Sequence, residues 1–208
     1  MDGTLRAART PRGAPRLPAR VRRWLLGVAL ALAWMPLAVA QDSRDIAVTV
    51  HREGEEVVVD VDFLVAATPQ EAWNVLTDYD HMSQFVADLT SSRILRRDGD
   101  RLEVAQQGRF RFGFFELKIE NVRAIELVPL REIRSQLVSG DMKASAFTTR
   151  VAAEGSGTRI TNHGRFTPDR WIPPVIGPAV MQAQTRKQFA EIRAEILRRK
   201  AAPAAKHA

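Results

Sequence analysis

The sequence predicts an α+β domain in which a curved antiparallel β-sheet wraps around one long C-terminal α-helix, with two short helices after the first strand or hairpin. Three observations predict it. Between about residues 46 and 168, apolar and polar side chains alternate with a period of two over most segments. Turn residues such as Glu53-Gly54-Glu55, Asp98-Gly99-Asp100 and Gly155-Ser156-Gly157 separate those segments. The period changes to that of a helix briefly after Pro69 and at length from about residue 174 to 200. A wide sheet with one apolar face and a single long helix to cover it must bend around that helix, and the bend leaves space between them.

Residues 1–40 read as a signal peptide. Seven arginines (6, 9, 12, 16, 20, 22, 23) stand against Asp2 alone, and the uncharged run WLLGVALALAWMPLAVA follows from Trp24 to Ala40. It ends in Ala38-Val39-Ala40, the small-x-small pattern that signal peptidase accepts, so cleavage is expected before Gln41. Residues 41–208 then form a single domain with its core at about 46–200. The apolar run contains Pro36 and is short for a hydrocarbon core about 30 Å thick, which argues against a permanent anchor. Arg22-Arg23 also allows the twin-arginine route, of which RRWLL is a poor version.

Charge and cysteine usage narrow the function. The whole chain is +7, but removing seven arginines and one aspartate leaves 24 basic against 23 acidic residues, a net +1. The basic balance belongs to the leader, and nucleic acid is withdrawn as a partner. There is no cysteine, hence no disulfide, no thiol nucleophile and no lipoprotein anchor. A soluble periplasmic or secreted protein is expected.

The elements follow in order. In VVVDVDFLV, 57–65, Val57, Val59, Val61, Phe63 and Val65 share one face and Asp60 and Asp62 the other, and the preceding IAVTVHRE makes this the second arm of a hairpin. Thr68-Pro69-Gln70-Glu71 is a capping box with proline at the first helical position, and Ala72, Trp73, Val75 and Leu76 give that short helix its apolar side. Five or six strands follow from residue 91. RLEVAQQGRFRFGFF puts Leu102, Val104, Gln106, Gly108, Phe110, Phe112 and Phe114 on one side, and FELKIENVRAIELV alternates Phe115, Leu117 and Ile119 with charged residues. The closing helix carries Met181, Phe189, Ile192 and Ile196 on its apolar side.

TDYDHMSQFV, 77–86, gathers Asp78, Tyr79, Asp80 and His81, residue types suited to acid-base chemistry or metal ligation. The stretch falls where the first short helix ends and a second, about 80–86, begins, with Asp80 placed to cap it and Met82, Phe85 and Leu89 on its buried side. His51, His163 and His207 lie far off without ligand spacing, so turn and cap roles are expected and no metal is implied.

FLVAATPQEAWNVLTDYDHMSQFVADLTSSRIL and TPDRWIPPVIGPAVM before a long helix resemble the polyketide cyclase/coenzyme Q-binding branch of the SRPBCC (START-like) superfamily, over about residues 57–200. The most specific part is Trp73, Val75, Leu76, Thr77, Asp78, Tyr79, Met82 and Phe85. The resemblance implies a helix-grip fold with a cavity for lipids, quinones, polyketides or isoprenoids, and it marks the 77–86 stretch as a structural signature.

Three functions are open at this point. The first is a periplasmic binding or transport module for a hydrophobic small molecule or lipid, with Phe85, Phe110, Phe112, Phe147, Phe166, Trp171 and Met181 as candidate lining, no cofactor, and room for transient membrane contact. The aromatic series fits an ordinary filled core equally well. The second is a cyclase or dehydratase using His163, Tyr79 or Arg123 as acid, base or oxyanion donor, for which the clear inward positions of the central strands offer only Gln106 and Asn121 as polar groups. The third is an interaction module for a protein or membrane, with WIPPVIG, 171–177, as an exposed apolar edge.

Overall fold

A computed structural model describes residues 45–112, 115–169 and 177–202; the side chains of Phe112 and Phe115 lie outside the description. The chain divides between Ala40 and Gln41 into two units, and every described residue belongs to the second. Eight strands form one antiparallel sheet: β1 (Ala47–Glu53), β2 (Glu56–Val65), β3 (Leu89–Asp98), β4 (Arg101–Phe112), β5 (Phe115–Val128), β6 (Glu132–Gly140), β7 (Met142–Glu154) and β8 (Gly157–Pro168). Their order is β1-β2-β8-β7-β6-β5-β4-β3, so the connection from β2 to β3 crosses from one side of the sheet to its far edge. Helix α1 (Pro69–Leu76) and a 3₁₀ turn (Tyr79–Gln84) make that crossing, and α2 (Pro178–Ala201) is the long closing helix.

The period-two reading places the core correctly. Val57, Val59, Val61, Phe63 and Val65 are buried on one face, as are Leu102 and Val104 of β4, Ile125 and Leu127 of β5 and Ile160 of β8. The capping box is formed: Thr68 N–H donates to Glu71 Oε2 at 2.7 Å, and Glu71 N–H donates to Thr68 Oγ1 at 3.3 Å. Ala72, Trp73, Val75 and Leu76 are all buried.

Helix α2 is seated differently along its length. Its C-terminal half drops Ile192 and Ile196 into the core, while its N-terminal half is tied at both sides. Arg186 Nε donates to the Ile46 carbonyl at 3.2 Å and Gln182 donates to the Val48 carbonyl, both on the β1 side. Towards β3, Lys187 and Gln184 reach the Asp88 carboxylate, and the Ala87 N–H donates to Glu191 Oε2 at 3.0 Å.

Two expectations are corrected. The stretch after α1 is a 3₁₀ turn with Asp78 rather than Asp80 at its cap position, and no side chain caps it. Asp80 instead accepts the Ile94 N–H at 2.7 Å, beside the irregularity between Ile94 and Arg96 in edge strand β3. A long-range tie replaces a local one, because a tight 3₁₀ turn leaves a carboxylate one residue inside its start facing outwards to the neighbouring strand. Asp80→Ala is therefore expected to lower stability by about 1 kcal/mol in urea denaturation; an unchanged midpoint would show that the bond carries nothing. The long helix begins at Pro178, not 174: Gly177 is extended (φ −78°, ψ 177°), and Pro178 sits in the first turn, where its missing N–H costs no bond.

Candidate functional site

The inward faces of β2 and β4–β8 and the N-terminal half of α2 line a cavity of about 370 Å³. Its apolar wall is Val59, Phe110, Leu117, Ile119, Met142, Phe147, Phe166, Met181 and Phe189; its polar groups are Gln106, Arg123, Ser135, Asn162, Gln184, Thr185 and Gln188. The volume lies in the range of ligand pockets, and the mix of an apolar wall with a few placed polar groups is typical of them.

Two packing details shape it. The ring of Phe147 packs directly against Gly164, its cross-strand partner: a β-carbon at Gly164 would sit 2.0 Å from a ring carbon. The absence of a side chain at residue 164 is what makes room for the ring. The guanidinium of Arg123 then stacks over that ring, 5.0 Å from its centroid.

Arg123 is the most unusual group in the molecule. It is 8 % exposed, on the inward face of β5, two residues beyond Asn121 and four beyond Ile119. Its Nε donates to Ser135 Oγ at 2.5 Å and its Nη1 to Ser145 Oγ at 3.0 Å. Those serines lie on β6 and β7 where the two strands part: their ladder runs from Glu132–Arg150 to Gln136–Ala146 and stops, while β6 continues on β5 and β7 on β8. Arg123 thus bridges the fork from inside. Its Nη2 is buried and has no hydrogen-bond partner among the described residues, as is Asn121 Oδ1. Burial pushes the guanidinium down to about 10, partly offset by the field of Tyr79, so it is charged at neutral pH.

The sequence-derived candidates divide. Phe110, Phe147, Phe166 and Met181 line the cavity. Phe85 does not: it lies under the Arg199 guanidinium, 5.4 Å from centroid to Cζ, in an outer cleft with Asp78, His81, Glu195 and Arg198. There Asp78 is held by His81 Nδ1 at 2.7 Å and Arg199 Nη1 at 2.8 Å, and these partners outweigh burial to keep its carboxyl below the usual range. Glu195 is pulled down to about 2 by hydrogen bonds from Arg198 and then Arg199. The TDYDH cluster is thereby an anchor between the 3₁₀ turn and the end of α2. Phe112, by its side chain, and Trp171, with most of WIPPVIG, lie outside the described residues.

Of the candidate acid-base groups, His163 stands on the outer face, its Nδ1 2.7 Å from Asp60 Oδ1, both side chains about half exposed. Its position in β8 between inward Asn162 and Gly164 requires that. Tyr79 is buried in the core and is not part of the cavity's described lining, and burial raises its phenol. Only Arg123 reaches the cavity. Period-two counting could have found it: Leu117, Ile119, Asn121, Arg123, Ile125 and Leu127 share one parity, and only a charge prejudice removes Arg123 from the inward set.

Residues 56–201 match the family model described as polyketide cyclase / dehydrase and lipid transport. The chain belongs to that family. Solved structures with the START-like helix-grip fold superpose on this family member. A STAR-related lipid transfer protein from Xanthomonas axonopodis aligns with TM-score 0.63 and 12 % identity over 76 % of this chain and 96 % of its own. The Zhui aromatase/cyclase from Streptomyces sp. R1128 aligns at 0.56 and 16 %, over 71 % and 97 %, and human STARD10 at 0.56 and 12 %, over 90 % and 83 %. No curated protein matches the chain significantly. Identities this low carry the fold and no more. Within the polyketide cyclase/dehydrase and lipid-transport family, fold and membership together define this chain as a START domain of hydrophobic-ligand-binding or cyclase-like type.

Proposed function

We propose that the protein is exported to the periplasm and there binds or carries a hydrophobic small molecule, a lipid, quinone or polyketide-like compound, in the cavity between sheet and α2. The observation that carries this reading is the cavity itself, about 370 Å³ with a wall mainly of aromatic and aliphatic side chains, under a helix whose C-terminal half drops its side chains into the core while its N-terminal half is held by polar ties at its sides. Binding is favoured over cyclase chemistry because the described lining contains no carboxylate, imidazole or phenol to take or give a proton. Arg123 could stabilise an oxyanion, but no described residue of the lining stands beside it as acid or base. The export half of the reading rests on the basic start, apolar run and Ala38-Val39-Ala40 of the leader.

One preparation tests both halves. Native mass spectrometry of the protein from the periplasm of its own host should show a chain beginning at Gln41 and, on gentle ionisation, an additional mass released by organic extraction. Recovery with residues 1–40 intact in the membrane fraction would contradict export, and a bare chain from every preparation would contradict the binding role.

A further inference from the structure

We infer that the ligand is an amphipathic anion, an apolar body ending in a carboxylate that Arg123 receives at the β6–β7 fork; this rests on the cavity being a ligand site. A guanidinium has five N–H donors and no way to shed its charge cheaply. Here it is taken out of water and given only two neutral hydroxyls, Ser135 and Ser145, and an aromatic face, Phe147. Among the described residues no carboxylate pairs with it and Nη2 has no acceptor. A buried unpaired charge is costly, and one that faces a cavity has its place for an acceptor there.

The surroundings say what that partner is. The cation lines the cavity, so the acceptor must enter with the ligand. Both serines accept from Arg123 through their oxygens, and Ser135, which lines the cavity, keeps its own hydroxyl hydrogen to turn to the same incoming group. Nε, Nη1 and the stacked face fix the guanidinium plane, so Nη2 presents its N–H bonds in one direction without further ordering. Charge-assisted bonds of this type are about twice as strong as neutral ones. The apolar part of the wall, with Phe110, Leu117, Ile119, Phe166 and Met181, gives contact to the body, while uncharged Gln106, Asn162, Gln184, Thr185 and Gln188 add no second charge.

Calorimetric titration of the purified protein, freed of bound lipid, with decanoate and with 1-decanol at pH 8 tests this. A merely apolar cavity prefers the alcohol, because the carboxylate must be desolvated. The expected result is the reverse order, with a Kd for decanoate at least tenfold below that for decanol. Arg123→Gln is expected to abolish that preference, and Arg123→Lys to keep part of it. Equal or tighter binding of the alcohol by the wild type would overturn the anion assignment and leave the binding role standing. An acid preference that persists in Arg123→Gln would overturn it too. Failure to bind either compound would overturn both readings. Should Arg123→Gln not fold, the wild-type order and the lysine variant still decide.

Discussion

Phe63→Ala is expected to destabilise the protein by about 4 kcal/mol, the largest single-residue loss in the fold. Phe63 is 2 % exposed on the inward face of β2, towards its C-terminal end, and its ring meets that of Phe189 on α2 edge-on, centroids 5.9 Å apart and planes at 63°. Truncation removes the transfer energy of a whole ring and the favourable edge-to-face term. It also leaves a void that the sheet cannot close, because β2 is paired on both sides, to β1 and β8. Phe189 also lines the cavity, so the same substitution should loosen the seat of α2 and weaken retention of an apolar ligand. Chemical denaturation measures the first effect. A loss under about 1 kcal/mol would mean that α2 is not held where the structure puts it.

Gly164→Ala is expected to cost about 1 to 3 kcal/mol and to reduce binding of an apolar probe at least tenfold. The new methyl would stand 2.0 and 2.1 Å from two ring carbons of Phe147, so the ring must leave its bed. Both neighbouring strands hold their register, and the open side is the cavity, so the displaced ring takes space that a ligand would use. It also takes away the face on which Arg123 stacks. A double-mutant cycle isolates the contact: in a Phe147→Leu background, Gly164→Ala should cost under about 1 kcal/mol. Additive losses would place the effect in the backbone of β8 rather than in the ring.

How much of this was legible in the sequence depends on the range of the interaction. The faces of β2, the capping box of α1 and the apolar side of α2 are local patterns, and Val57 to Val65, Thr68 to Glu71, and Ile192 with Ile196 all read directly. The bed under Phe147 was legible in principle: with Glu154 paired to Gly157 at the turn, counting seven residues back and seven forward brings Phe147 opposite Gly164. Arg123 was read as an oxyanion donor of the enzyme alternative, but its inward position, legible by parity, was left out of the cavity's polar groups, because a charged residue is seldom counted as inward. The partners of the TDYDH stretch were not legible. Asp80 is tied to Ile94 and Asp78 to Arg199 at the end of the chain, and nothing in the intervening residues marks either pairing. Phe85 misled for the same reason: its spacing gave a buried side but not which of two hollows it faces.

The central claim is that the space between sheet and α2 holds a hydrophobic ligand. Thr185 faces it from the first half of α2 and is half-buried, so a larger side chain there projects into the cavity. Titration of the wild type and Thr185→Trp with an uncharged apolar fluorophore therefore tests it most directly. The account predicts saturable one-to-one binding by the wild type and at least tenfold weaker binding by Thr185→Trp, with a melting temperature no lower. Equal binding by both proteins would place the ligand elsewhere and contradict it.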